Sequence, residues 1–160
     1  MSSLSEILTQ AMQLEKDGAD FYLKAAGLSS DAETRAMFEQ LAQDEKAHLS
    51  YIERQYAALE CGEDWCSIPE LGKVTPADVN APIFPADLRR VTEISTQASL
   101  EDALLFALNA EDASIKLYKD GAARADHAEA QQLFLQLVSA ETTHFTILLQ
   151  RYETLYPYPR

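Results

Sequence analysis

The sequence predicts an all-α protein: a bundle of four long helices, paired as two hairpins that one long crossover connects. Three observations predict this fold class, namely helical periodicity in four segments, a capping signature before each segment, and a second half that repeats the first. None of the segments shows the strict alternation of a β-strand. A chain of 160 residues, 47% of them hydrophobic, can bury one core, so we expect a single domain over 1–160.

Periodic apolar positions and residues that favour helix ends locate the helices. We place the four helices at about 4–28, 31–60, 100–122 and 127–155. Each is preceded by a capping box, which we predict at Ser3 with Glu6, Ser30 with Glu33, Ser99 with Asp102, and Asp126 with Glu129. Gly62 follows the second helix and Pro157 follows the fourth, as expected for residues that do not continue a helix.

The segment 61–98 separates the second helix from the third and contains four of the six prolines. Because proline lacks a backbone N–H and breaks helices, this segment is not one helix, although a short helix over 85–95 stays open. Its length suits a connection along the full height of the bundle, whereas the links near 27–30 and 123–126 are short. The short links predict two antiparallel hairpins, which the long segment joins.

The second hairpin repeats the first. A shift of 96 positions, from Glu15 to Glu111, aligns identical residues that are concentrated where a core face is expected. The other aligned pairs are Tyr22 and Tyr118, Phe38 and Phe134, Leu41 and Leu137, Glu45 and Glu141, His48 and His144, and Tyr56 and Tyr152. An internal duplication with pseudo-twofold symmetry explains these identities.

Four glutamates and two histidines interrupt the apolar stripes of the helices. They are Glu15, Glu45, His48, Glu111, Glu141 and His144. In the second helix, for example, Glu45 and His48 continue the three- and four-residue spacing of the apolar residues. Because the two glutamates of each hairpin are about equally far from its turn, all six groups can meet at mid-height of the bundle.

These six groups predict a site for two metal ions. Buried carboxylates without a partner cost several kcal/mol and repel one another. Two divalent cations would neutralise the four carboxylates, and the mixed oxygen and nitrogen donors suit iron or manganese. One glutamate from each of two helices, with Glu-x-x-His from each of the other two, is the donor pattern of dinuclear carboxylate sites. The alternative is a polar network without metal.

The segments LEKDGADFY, DEKAH, AEDASIKLY and AETTH resemble the rubrerythrin branch of the ferritin-like superfamily, and the resemblance extends over all four helices. It implies a ferritin-like bundle that binds two iron ions through the six residues above, with Glu45 and Glu141 as bridging carboxylates. Manganese or a mixed metal pair would also fit. The resemblance further implies that Tyr22 and Tyr118 hydrogen-bond to ligand carboxylates, with plain core packing as the alternative.

The chain departs from the pattern of its relatives in three places. Rubrerythrins carry a rubredoxin domain with four cysteines, whereas this chain has only Cys61 and Cys66, so we expect an external electron donor such as a rubredoxin-like protein. Ser114 stands where rubrerythrins carry an extra carboxylate that exchanges with a histidine, so that exchange is not predicted here. Lys46 stands where bacterioferritins carry a haem-binding methionine, and we expect no haem.

The resemblance implies an oxidoreductase that reduces hydrogen peroxide or dioxygen. For that function we expect a homodimer with two metal ions per chain. The alternative is a ferroxidase or iron-storage protein, which predicts a large hollow shell. A third interpretation makes the metal ions purely structural.

The net charge of −13 makes nucleic acids and anionic membranes poor partners. No apolar run approaches the length that spans a bilayer, and residues 1–18 lack a secretory signal, so we expect a cytoplasmic protein. Cys61 and Cys66 lack CxxC spacing and are expected to be ordinary thiols, with a local disulfide or a partner contact as alternatives. His127 has no partner at ligand spacing, and we expect it at the surface.

Overall fold

The computed structural model describes residues 3–60, 99–126 and 128–157. These residues form four α-helices, α1 (Leu4–Ala26), α2 (Ala32–Glu60), α3 (Leu100–Arg124) and α4 (Ala128–Leu155), and no β-strand. The predicted all-α class is therefore confirmed, and the helix ends differ from the predicted ones by one or two residues. The predicted crossover with both cysteines, and the prediction for His127, lie outside the described residues.

Two of the predicted capping boxes are confirmed. The Ser3 hydroxyl accepts a hydrogen bond from the Glu6 N–H at 3.1 Å, and the Glu6 carboxylate accepts one from the Ser3 N–H at 3.2 Å. Ser99 and Asp102 make the same reciprocal pair at the start of α3. Each box satisfies one N–H of the first turn, which has no partner within the helix.

The predicted box of Ser30 and Glu33 is wrong. The residue before α2 is Asp31, whose carboxylate accepts hydrogen bonds from the N–H and the hydroxyl of Thr34, at 3.0 and 2.6 Å. One carboxylate oxygen thus serves two donors, so an N-cap at Asp31 satisfies the first turn without Ser30. The box predicted for Asp126 and Glu129 flanks residue 127, outside the described residues, and stays a prediction.

The two hairpins each bury an equivalent aromatic pair. Most contacts between helices join α1 to α2 and α3 to α4, and fewer join one hairpin to the other. Within the first hairpin the rings of Tyr22 and Phe38 are 6.0 Å apart, and in the second those of Tyr118 and Phe134 are 6.5 Å apart. All four side chains are fully buried or nearly so. The repeated core face predicted from the duplication is present in both hairpins.

None of the helices within residues 3–60, 99–126 and 128–157 combines the length and the hydropathy needed to cross a lipid bilayer.

Gly121 allows the close approach of Phe134 to α3. A Cβ atom at position 121 would lie 2.6 Å from the Phe134 ring, closer than packed atoms come. We therefore expect Gly121→Ala to lower the free energy of unfolding by about 1–3 kcal/mol, because the clash outweighs the better helix propensity of alanine. Urea unfolding measures this change.

Gly18→Ala provides the matched control for that prediction. Its Cβ would meet the nearest atom, Glu45 Oε2, at an ordinary 3.5 Å. This variant should therefore gain up to about 1 kcal/mol from helix propensity. Equal effects of the two alanines would contradict the role assigned to Gly121.

Candidate metal centre

The six polar residues predicted to meet do so at mid-height of the bundle. The helices contribute them as follows: Glu15 from α1, Glu45 and His48 from α2, Glu111 from α3, and Glu141 and His144 from α4. Every one of the six is buried, with an exposed fraction between 1% and 6%. Each residue lies within the apolar stripe of its helix, so its side chain points towards the interior of the bundle.

The six residues form two overlapping groups of four. One group contains Glu15, Glu45, His48 and Glu141, and the other contains Glu45, Glu111, Glu141 and His144. In each group one donor atom per residue lies within 4.8 Å of the others, a spacing that can hold a cation. Glu45 and Glu141 belong to both groups. They thus occupy the positions that carboxylates shared by two cations would need.

Each histidine faces carboxylates of the other hairpin. His48 Nδ1 of the first hairpin lies 2.7 Å from Glu141 Oε1 of the second. In the opposite direction, His144 Nδ1 lies 2.9 Å from Glu45 Oε1 and 3.5 Å from Glu111 Oε1. The two imidazole rings lie 5.5 Å apart and are nearly parallel, with an interplanar angle of 23°. The cluster therefore links the two halves of the duplicated fold.

Several buried oxygen and nitrogen atoms of this cluster that could bind a metal ion have no hydrogen-bond partner among the described residues. They are Glu15 Oε2, Glu111 Oε2, both oxygens of Glu141, and His48 Nδ1. The 2.7 Å approach of His48 to Glu141 thus lacks the angle of a hydrogen bond. Each buried polar atom without a partner costs roughly 1–3 kcal/mol, a cost that a bound cation would remove. The unpartnered atoms and the mixed O and N donors fit a pair of iron or manganese ions.

The two tyrosines hydrogen-bond to the cluster from opposite hairpins. The Tyr22 hydroxyl donates to Glu111 Oε1, and the Tyr118 hydroxyl donates to Glu15 Oε1. Each of these glutamates thus has one oxygen engaged by a tyrosine, while its Oε2 has no partner. A hydrogen bond of this kind orients a carboxylate so that its other oxygen is available to a metal ion. A part for Tyr22 and Tyr118 in catalysis stays a prediction.

Without a cation, the cluster reduces its repulsion by holding protons. Burial raises the pKa of Glu45 and of Glu141 well above the usual range, and the neighbouring carboxylates raise it further. Burial also acts to raise the pKa of Glu15, but the close contacts with Glu45 and His48 and the hydrogen bond from Tyr118 outweigh it, so the pKa is lowered. The pKa of Glu111 is lowered in the same way against burial. Any proton that the raised pKa values keep on Glu45 or Glu141 must leave when a metal ion binds.

We expect the metal-free protein to lose stability as the pH rises above about 4.5. The raised pKa values of Glu45 and Glu141 contribute stability that is complete below the usual value of 4.5 and is lost above it. Both histidine pKa values are also raised, against the effect of burial, so their contribution is lost above 6.5. The lowered pKa values of Glu15 and Glu111 already contribute fully above 4.5.

Thermal unfolding between about pH 5 and pH 8 tests this expectation. The Tm of the metal-free protein should fall by several degrees across that range. The Tm of protein loaded with a divalent cation should hold or rise, because the cation replaces the protons. If the Tm of the metal-free protein rises with pH instead, this result would contradict the inference that the cluster holds protons in the absence of a cation.

Asp44 is a residue of the site that the sequence analysis missed. Its Oδ2 lies 3.0 Å from His144 Nε2, and hydrogen bonding with His144 lowers the pKa of this half-exposed carboxyl. If Nε2 carries the proton and donates it to Asp44, the lone pair of Nδ1 faces the cluster. Position 140 in the second hairpin is Ala140, so His48 has no equivalent partner among the described residues. The sequence signal for Asp44 is the difference between the motifs DEKAH and AETTH, since only the first has a carboxylate before its glutamate.

We expect Asp44→Asn to weaken the binding of one metal ion by about 10–100-fold, because the amide no longer selects the same imidazole tautomer. The second ion, on the His48 side, should be affected much less. Asp20→Asn removes the same charge from an exposed position of α1 and should bind both ions normally. Competition with a chelator measures both affinities, and equal behaviour of the two variants would contradict the role of Asp44.

Comparisons with known proteins agree with the fold and identify the family. The rubrerythrin family model matches residues 6–156, and the chain therefore belongs to the rubrerythrin family. A hypothetical protein from Pyrococcus furiosus aligns with a TM-score of 0.72 and 22% identity over 96% of this chain and 90% of that one. An uncharacterised conserved protein from Magnetospirillum magnetotacticum aligns with a TM-score of 0.67 and 22% identity over 99% of both chains. These two structures confirm the predicted ferritin-like bundle. No curated protein matches.

Proposed function

We propose that this protein is a di-iron oxidoreductase that reduces hydrogen peroxide or dioxygen. The observation that carries the proposal is the pair of overlapping donor groups that share Glu45 and Glu141. Membership of the rubrerythrin family supports iron as the metal. The buried atoms without hydrogen-bond partners support a cluster built for cations rather than a closed polar network.

The donor groups suggest how two ions would be held. One ion would take Glu15 and His48, the other would take Glu111 and His144, and Glu45 and Glu141 would be common to both. Four carboxylates balance the charge of two divalent ions, which makes their burial tolerable. When bound, two ferrous ions supply the two electrons that, with two protons, convert hydrogen peroxide to two molecules of water.

The side chains of the protein position the donors and keep bulk water away. Tyr22 and Tyr118 hold one oxygen of Glu111 and of Glu15, so each carboxylate presents its other oxygen in one orientation. The surrounding core is apolar, and it lowers the local dielectric around the cluster. An external one-electron donor, such as a rubredoxin-like protein, would restore the reduced state in two steps.

The first test is the iron content of the protein after anaerobic loading with ferrous iron and desalting. We expect about two ions per chain, consumption of hydrogen peroxide or dioxygen, and an oxidised site that an added reductant restores. The double variant Glu45→Gln with Glu141→Gln should lose most of the iron, because it removes both shared carboxylates. The control is Glu39→Gln with Glu53→Gln, which changes two exposed glutamates of α2 and should retain the iron.

Three results would contradict the proposal. Failure to retain iron would exclude a di-iron site, and iron that is retained without any redox response would indicate a structural metal pair. Far more iron than two ions per chain, together with a large shell in gel filtration, would favour iron storage. A homodimer with two ions per chain is the assembly that we propose.

A further inference from the structure

A cavity lies between α1 and α3 and reaches the proposed metal centre. Its volume is about 280 Å³. Glu45 and Glu111, both buried, line it on the side of the cluster, while the partly exposed rings of Phe21 and Phe106 line it further out. The cavity therefore connects the outer part of the bundle with carboxylates from both donor groups.

Small residues on facing helices create this space. Gly18 of α1, together with Ala110 and Ser114 of α3, lines the cavity. A Cβ atom at position 18 would lie 3.5 Å from Glu45 Oε2, an ordinary contact, so a side chain larger than alanine there would reach towards the carboxylate. The rings of Phe21 and Phe106 meet across the two helices, with centroids 4.9 Å apart. One aromatic pair and one set of small residues thus shape the cavity.

The size and polarity of the cavity restrict what it can bind. A volume of 280 Å³ corresponds to roughly nine water molecules, whereas hydrogen peroxide is little larger than one. The walls are mostly apolar, and the buried carboxylates of Glu45 and Glu111 lie on the side of the cluster, while the exposed Asp17 also lines the cavity. Hydrogen peroxide and dioxygen would leave most of these walls without contacts. A small molecule with a polar head and an apolar tail would satisfy both parts of the cavity.

We propose that the cavity binds the apolar tail of an organic hydroperoxide and directs its O–O group towards Glu45 and Glu111. This inference rests on the proposed function and extends its substrates to organic hydroperoxides. The reaction is the two-electron reduction of ROOH, in which the O–O bond breaks and two protons are taken up to give an alcohol and water. The electrons come from the two ferrous ions of the loaded protein, which an external one-electron donor reduces again.

Binding can be measured without turnover by using the product alcohol as the probe. We expect 2-phenyl-2-propanol to bind the metal-free full-length chain and to shift NMR signals of residues that line the cavity. tert-Butanol, which has a smaller tail, should bind roughly tenfold more weakly because it buries less apolar surface. Equal affinities, or shifts confined to other parts of the bundle, would overturn the proposal.

A pair of matched leucine variants, one that fills the cavity and one outside it, tests where the alcohol binds. Ala110→Leu places a larger side chain in the cavity wall and should weaken binding of 2-phenyl-2-propanol by about tenfold or more. Ala113→Leu makes the same change at an exposed position of α3 outside the cavity and should bind the alcohol like the unmodified chain. If Ala110→Leu does not fold, the comparison of the two alcohols on the unmodified chain decides the question. Equal alcohol binding by two folded variants would overturn the proposal.

Turnover by the iron-loaded protein separates this inference from the proposed function. We expect kcat/KM for cumene hydroperoxide to exceed that for hydrogen peroxide, and Ala110→Leu to lower this ratio by about tenfold. Turnover of hydrogen peroxide without alcohol binding or any preference for cumene hydroperoxide would overturn the cavity proposal and leave the proposed function standing. Alcohol binding without turnover of either peroxide or of dioxygen would overturn the proposed function and, with it, the assignment of this substrate.

Discussion

The structure depends on the burial of four carboxylates and two imidazoles in the middle of an apolar bundle. Such a cluster is tolerable only when protons or cations neutralise it. It also connects the two hairpins: His48 faces Glu141, His144 faces Glu45, and each tyrosine donates to a glutamate of the other hairpin. Because relatively few other contacts join the hairpins, the same interactions that hold a site together also align the two halves.

The duplication makes the two halves similar, and the differences between them are informative. Asp44 supports His144, whereas the matching position before Glu141 is Ala140. The two groups are therefore alike in their candidate ligand atoms and unequal in the hydrogen bonding behind them, which sets the orientation of a ligand side chain. Similarly, Gly121 makes room for Phe134 in the second hairpin, where the first hairpin has Ala25.

The two faces that the hairpins form differ as well. Between α1 and α3, small residues leave a mostly apolar cavity that reaches Glu45 and Glu111. Between α2 and α4 lies a larger and more open groove, lined by Asp44 and crossed by the contact of Arg151 with Glu33. The cavity on the first side therefore reaches the cluster itself, whereas the groove on the second side reaches Asp44, which contacts His144.

The sequence alone determined the fold class, the helix positions to within two residues, and which six polar residues meet. These follow from helical periodicity and the duplication, because a buried stripe and the helix rise fix both the direction and the height of each side chain. Only the tertiary structure decided that Asp31 caps α2, that Asp44 reaches His144, and that a cavity lies beside Glu45. Those features depend on rotation and spacing between helices, which no pattern within one helix contains.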